Sequence, residues 1–495
     1  MTSSPSIMFF QADLRMRDNP ALTAAAQRGN PLICLFVWNP DSSDYAKPGA
    51  ASRWWLHHSL KTLADNLAQA GNTLILRIGH APDVINNLVR QLGVHHLYWN
   101  RACEPTALEE EQQILQFLER EHAQATLFHG NTLADPSSVQ TQARKPYSVF
   151  TPFWKRFHTN FMLERPVQAP RSLPPPPSVT IPSDSLSSLE LLPTFDWAQG
   201  LKNHWSPGED GARTLLNKFL HAPVRTYEID RDRPDLSRTS HLSPHLHFGE
   251  ISPRYIWHAL DRAASRQTNT RAKAGLMAFR RQLVWREFSR HLLFHFPHMA
   301  HQPLRAEFQE FPWRPHPGFL RAWQQGQTGY PLIDAGMREL WHTGWMHNRV
   351  RMVVASFLTK HLLLHWEEGA QWFWDTLVDA DLANNTFGWQ WAAGCGADAA
   401  PFFRIFNPIT QGRKFDPDGV YVRRWVPELS QLPDSWIHAP WDAPPSVLQG
   451  ADVELGTTYP YPIVNHAEAR SRALDAYQQF KISRRHHSKT PLTPH

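Results

Sequence analysis

Cysteine is scarce. The 495 residues hold three, Cys34, Cys103 and Cys395, with no C-x-x-C pair. This excludes a disulfide framework and a cysteine-rich metal or iron–sulfur site, and a reducing cytoplasm is the expected compartment. No other metal site is expected, since His347 has no second ligand three or four residues away. No apolar run reaches membrane-spanning length, and no secretory signal is expected, since the first residues lack a basic stretch followed by a long apolar run. Charge of one sign is in small excess: the net charge of +5 permits a nucleic-acid partner without demanding one. The first apolar run is not followed by G-x-G-x-x-G, so a standard dinucleotide fingerprint is absent.

What is plentiful is tryptophan, with 21 copies, most of them after residue 200. Such a chain has either a dense aromatic core or an electron-transfer or base-stacking role. The length exceeds one core, so two or more domains are expected. Residues 1–160 alternate short apolar runs with amphipathic patterns. Ile7–Phe10, Leu32–Trp38, Thr73–Leu76, His96–Trp99 and Thr126–Phe128 read as buried strands. Ser52–Leu67, Pro82–Leu92 and Leu108–Glu121 read as helices. The alternation predicts a doubly wound parallel sheet. Residues 161–204 form a Pro-rich linker, with Pro174–Pro177 barring regular helix or central strand. From 205 to 480 the pattern is helical. Ala212–Leu220, Ser252–Ala264, Leu276–Phe294, Pro331–Thr343, Arg351–Glu368 and Ala370–Asp379 are the expected helices. Residues 481–495 form a basic tail expected to be disordered. The predicted fold class is therefore α/β followed by all-α.

The richest stretch is 379–416. Asp379, Asp381, Asn384, Asn385, Gln390, Trp389 and Trp391 crowd into thirteen residues, followed by small residues and a basic-aromatic run. A pocket for a flat polar heterocycle uses such a mixture: rings line it, amides bond its edges and acids anchor its tail. A Trp-rich core turn is the alternative. Four other groups carry candidate chemistry. Tyr227 with Thr239, Ser240, Leu242 and Ser243 suits either a phosphate or simple helix capping. Gln282, Trp285 and Arg286 share one helical face, as do Asn348, Arg351 and Met352. Arg351 is a candidate partner for Asp379. Arg404 and Lys414, set among aromatics, suit either a nucleic-acid backbone or a solvated basic loop.

These residues together resemble the photolyase/cryptochrome family. Phe9-Phe10-Gln11-Ala12-Asp13-Leu14-Arg15 with Asp18-Asn19-Pro20-Ala21-Leu22 is similar to that family's W-F-R-x-D-L-R-x-x-D-N-x-A-L opening, departing at Phe9 and Gln11. Ser240-His241-Leu242-Ser243-Pro244, Leu283–Phe288, Thr328–Pro331, Gly344–Arg349 and Asn385-x-x-x-Trp389-Gln390-Trp391 follow in family order. The likeness is strongest to microbial class I cyclobutane-dimer photolyases.

The resemblance implies FAD in the helical domain and light-driven repair of pyrimidine dimers in UV-damaged DNA, by a monomer without membrane attachment. It implies that Tyr227, Thr239, Ser240, Leu242 and Ser243 hold the diphosphate and sugar. Arg286, Trp345, Asn348, Arg351, Asp379 and Asp381 would surround the flavin, and Asn385 would face its N5. Trp389, Trp366 and Trp313 match the tryptophan chain that reduces it. Trp285 and Trp391 would wall the lesion pocket, Gln282 and Met352 would touch the dimer, and Arg231, Arg349, Arg404 and Lys414 would grip phosphates. Asn100 and Glu104 lie where an antenna pigment (methenyltetrahydrofolate, a deazaflavin or a flavin) is met. Gln282 departs from the Glu usual in that class, which makes a cryptochrome-like receptor the rival reading. A flavin oxidoreductase without DNA is the third.

Overall fold

The computed structural model describes residues 4–42, 45, 47–160 and 163–487. The chain divides into two compact units. The first comprises Met1–Ile229, Arg238–Pro297 and Trp374–Asn384; the second comprises Asp230–Ser237, His298–Phe373 and Asn385–His495.

Five parallel strands organise the first unit: β1 Ser6–Phe10, β2 Leu32–Trp38, β3 Leu74–Ile78, β4 His96–Asn100 and β5 Gln124–Phe128, in the order β3-β2-β1-β4-β5. β1, β2 and β4 are apolar on both faces because helices cover both, as parallel sheets require. Ile7, Phe9, Ile33, Leu35 and Trp99 pack with Val84, Ile85, Leu88, Ile114 and Phe117 on one side. The expected helices appear as Ala50–Gln69, Ala81–Leu92 and Pro105–Arg120. Leu56, Leu60, Leu63 and Leu67 are buried as their stripe requires, but Trp55 and Ser59 on the adjoining face are buried too. The apolar pattern did not mark Pro20–Gln27 or Phe150–Asn160. The first is only two turns long; its signal is Asn19 before Pro20, whose side chain accepts from the Leu22 N–H at 3.1 Å.

The proline-rich stretch runs along the sheet edge. The Asp184 N–H donates to Leu76 O at 2.8 Å and the Leu76 N–H to Ser183 Oγ at 3.0 Å, which covers part of the edge of β3.

Secondary structure in the second unit is helical apart from the Leu455–Tyr459 bridge among the described residues. The expected continuous helix Arg351–Glu368 is broken. An α-helix Asn348–Ser356 passes into a π-turn Phe357–His361, Leu363 takes a φ of +53°, and a new helix runs Trp366–Thr376. The apolar periodicity continues through the break, so pattern alone missed it. Tertiary contact overrides propensity here: the Leu363 carbonyl accepts from the Arg314 N–H at 2.8 Å. The last helix, His466–His487, takes in residues 481–487 of the supposed tail; 488–495 lie outside the described residues.

Glu339 is buried beneath this unit's helices and accepts from the Tyr421 hydroxyl at 2.6 Å and the His347 N–H at 3.3 Å. Burial raises its pKa to about 7, opposed by those two bonds. The folded state therefore keeps a proton that the unfolded chain releases near pH 4.5. The associated stability is complete below that value and is lost as pH rises through about 7. Glu339→Gln should remove on the order of 3 kcal/mol of pH-dependent stability. Denaturant melts from pH 5 to 8 should show a shallower decline in the variant than in wild type.

Candidate flavin and DNA site

In the first unit the helix Thr270–His295 carries Gln282, Trp285 and Arg286. Trp285 is half-buried, and Phe150 stacks on it with ring centroids 3.4 Å apart and planes 7° apart. The Arg281 guanidinium lies 5.3 Å from the Phe150 ring centre. Gln282 Nε2 donates back to Ala278 O at 3.4 Å. Arg286 is buried, donating to Asn131 O at 2.9 Å, Glu287 Oε1 at 3.1 Å and Leu246 O at 3.3 Å.

One turn further, Arg290 was not among the candidates, although it sits at i+4 from Arg286. It donates to Asp381 Oδ2 at 2.7 Å. Burial pushes the Asp381 carboxyl up, but Arg290, with His247 and Arg286, more than offsets this and holds it well below the usual range. Asp381 is thus an anion at neutral pH. It also caps the helix Leu382–Ala393, accepting from the Asn384 N–H at 2.9 Å. Asp379 is buried nearby in sequence.

Tyr227 is buried edge-on to Phe219 and Phe279, at 5.3 and 5.4 Å. Thr239 and Ser240 are half-buried, Leu242 is buried and Ser243 is exposed. The chain turns at His241, φ +53°, and the Leu242 N–H donates to Ser240 Oγ at 3.4 Å before the short helix Ser243–His247. Asn100 is buried; its Nδ2 donates to Asp13 Oδ2 at 2.6 Å and Asn19 Oδ1 at 2.8 Å. Glu104 accepts from the Cys103 N–H at 2.9 Å and lies 3.8 Å from Arg290.

In the second unit, His347 caps the helix Asn348–Ser356 and Trp345 is buried just before it. Asn348 Nδ2 points to Met352 Sδ at 3.9 Å, confirming their shared face, and Arg351 donates to Met346 O at 2.7 Å. Arg349 pairs with Asp232 at 2.7 Å and stacks over Phe415 at 4.5 Å; Arg231 approaches the same acid at 3.8 Å. Arg404 and Lys414 are exposed.

Asn385 is half-buried and its Nδ2 donates to Ala370 O at 3.0 Å. One of its two amide N–H groups is thereby engaged with main chain, which leaves the other N–H and the carbonyl oxygen. An amide of this kind can accept from the N–H at N5 of a reduced flavin.

Trp389 is buried against Phe373 at 5.0 Å and Trp323 at 6.0 Å. It also meets the Trp366–Thr376 helix where that helix has no side chain: a Cβ on Gly369 would lie 2.0 Å from the Trp389 ring. Gly369 is three residues after Trp366. Beyond Trp366 the rings continue: His365 lies 5.7 Å from Trp366 and 5.4 Å from Trp313. Trp391 is half-buried, two residues before the helix ends at Ala393.

A separate cavity of about 770 Å³ lies wholly in this unit. Its lining includes Trp341, Trp372 and Trp425 with Arg321, Arg338 and Arg424, and the Trp341 and Trp372 rings are nearly parallel, 6° apart in plane at 5.9 Å. No motif in the sequence singled these residues out.

A parallel-sheet unit with a buried acid–arginine pair and a helical unit with an indole series are the parts that a photolyase fold combines. Family comparison agrees: "DNA photolyase" matches residues 6–176 and "FAD binding domain of DNA photolyase" matches 279–479. The chain belongs to the photolyase/cryptochrome family. It is 46% identical over 482 residues to the deoxyribodipyrimidine photo-lyase of Agrobacterium fabrum, covering 97% of this chain and 99% of that one. It is 40% identical to Arabidopsis thaliana cryptochrome-1, covering 96% of this chain and 70% of the relative. The crystal structure of a class III photolyase from Agrobacterium tumefaciens superposes with a TM-score of 0.93 at 46% identity, covering 97% and 98% of the two chains.

Gly369→Ala should push the Trp389 ring off the helix. The expected result is several-fold slower light-driven reduction of bound FAD with FAD content unchanged, followed by flavin absorbance under blue light with an external reductant.

Proposed function

We propose that this protein repairs pyrimidine dimers in DNA with blue light, using FAD. It is an enzyme, a deoxyribodipyrimidine photo-lyase. The observation that carries the reading is Asn385: a neutral amide held to Ala370 O through one N–H, so that it offers a ligand an acceptor and a second N–H but no acid. Bound FAD supplies the electron that opens the cyclobutane ring. The chain's own residues hold, orient and shield. Enzymes that do chemistry on bases, photolyases among them, must bring the target out of the stack. Trp285, backed by Phe150, and Trp391 would flank the lesion so flipped. Gln282 and Met352 would touch the dimer. Arg231, Arg349, Arg404 and Lys414 would neutralise phosphates, so affinity should fall steeply with salt. Trp389, Trp366 and Trp313 would relay electrons inward from the surface.

The Agrobacterium structure is of a class III enzyme. On that likeness we assign this chain to class III rather than to the class I read from motifs. All three cysteines are free and buried, which supports a reducing compartment, and no helix among the described residues is long and apolar enough to cross a membrane. We read the working form as a cytoplasmic monomer.

A second chromophore belongs to this reading. An archaeal relative, 28% identical with a TM-score of 0.80, carries two FAD molecules. Asn100 and Glu104 are the expected antenna contacts; the Asn100 Nδ2 is held by Asp13 and Asn19 while its Oδ1 has no hydrogen-bond partner among the described residues, and Glu104 accepts from the Cys103 N–H. The cavity at Trp341 and Trp372 offers parallel rings for a flat pigment and guanidiniums for an anionic tail. We favour that cavity. Trp341 is 66% exposed, so Trp341→Ala should leave FAD stoichiometric while lowering any absorbance beyond that of FAD; a spectrum unchanged by the substitution would return the antenna to Asn100 and Glu104.

The repair reading is tested by illuminating reduced protein with dimer-containing DNA. Restored thymine is expected, and its absence would move the assignment to a photoreceptor. Gln282→Glu should repair at an equal or higher rate, and a large loss would show that Gln282 makes an essential neutral contact.

A further inference from the structure

Lys360 has no role in the reading above, yet its position is costly. It lies in the π-turn Phe357–His361 and is 1% exposed. Among the described residues no carboxylate pairs with it. Nζ donates to Ala393 O at 2.6 Å and sits 3.3 Å from the centre of the Phe402 ring. Burial pushes its pKa down, while the carbonyl and the ring face favour the ammonium form; either form donates the bond. A methionine would fill this space without the desolvation cost. The amine is therefore accounted for by what it joins.

It joins the two ends of one loop. Ala393 is the last residue of the helix Leu382–Ala393, whose final carbonyls lack intrahelical donors and carry partial negative charge. Gly394 then turns with a φ of +90°, and a Cβ there would lie 3.5 Å from Nζ. At the far end, Phe402 points inward and stacks on Tyr477 at 4.5 Å with planes 10° apart. The next residues form a tight turn, the Arg404 N–H donating to Pro401 O at 2.8 Å and the Ile405 N–H to Phe403 O at 3.0 Å. Phe403 and Arg404 face solvent, Phe403 64% exposed.

We propose that Lys360 is a positioning residue for DNA: its amine ties the end of the Trp391 helix to the inner ring of the Phe402–Arg404 turn, so that the turn meets the phosphate backbone already formed. The gain is pre-organisation rather than a contact of its own. The proposal rests on the repair reading in assigning Arg404 to DNA.

The test uses the full chain loaded with FAD. Lys360→Met should weaken binding to a dimer-containing duplex roughly tenfold. Repair at saturating DNA and light-driven FAD reduction should stay at wild-type levels. Arg404→Ala should cost less affinity in the Lys360→Met background than alone, because the two act through one turn. Wild-type affinity in Lys360→Met would overturn the proposal, as would equal losses of affinity, saturated repair and photoreduction. Should Lys360→Met not fold, Phe402→Leu keeps the site apolar, removes the ring and should give the same split. Wild-type protein that binds the duplex but restores no thymine would sink the repair reading alone, leaving the affinity comparison to decide the role of Lys360.

Discussion

The side-chain amide of Gln390 is fully buried, and its three hydrogen bonds all go to main chain: it accepts from the Leu304 N–H at 2.9 Å and donates to Met299 O and Gln302 O at 2.8 Å each. Its own carbonyl accepts from the N–H groups of Cys395 and Gly396 at 3.0 and 3.1 Å. One residue thus locks the end of the helix carrying Asn385, Trp389 and Trp391 to the segment 299–304 and to its own exit loop. An amide buried with every bond made is rigid, because breaking any one strands a polar group without water. Asp381 caps the other end of the same helix. Between those two anchors Asn385, Trp389 and Trp391 hold fixed spacing.

That rigidity suits the proposed chemistry. An electron passed between aromatic systems demands little bond-making from the protein, but it demands constant separation and a dry, polar-satisfied surrounding. The first unit keeps Arg286 and Arg290 buried against Glu287 and Asp381, charges that would be costly alone. The second keeps Trp389 close to the Trp366 helix by omitting a side chain at Gly369. Lys360 extends the pattern outward, from the helix end to an exposed turn.

Several positions show how close neighbours in sequence acquire different tasks. Trp389 and Trp391 are two residues apart, yet one is sealed among rings and the other is half-exposed. Arg286 and Arg290 are one turn apart, yet the first binds two carbonyls and the acid next to it, and the second an acid on a distant segment. Helical spacing announces that such pairs share a side, and nothing more.

Residue pattern by itself determined the alternation of five strands with helices, since fully buried parallel strands must be apolar throughout and their crossover helices must be amphipathic. It also determined the ordered motifs that mark the family, because those are local strings. It did not reveal the break at Leu363, where apolar periodicity runs on while a carbonyl turns aside to Arg314. Nor did it single out Arg290, Lys360 or the parallel Trp341 and Trp372 rings, or show that Gln390 spends its amide on main chain. Their partners lie from about 30 to more than 90 residues away, and only the folded chain decides which buried charge meets which carbonyl, because desolvation is set by neighbours in space and not by neighbours in sequence.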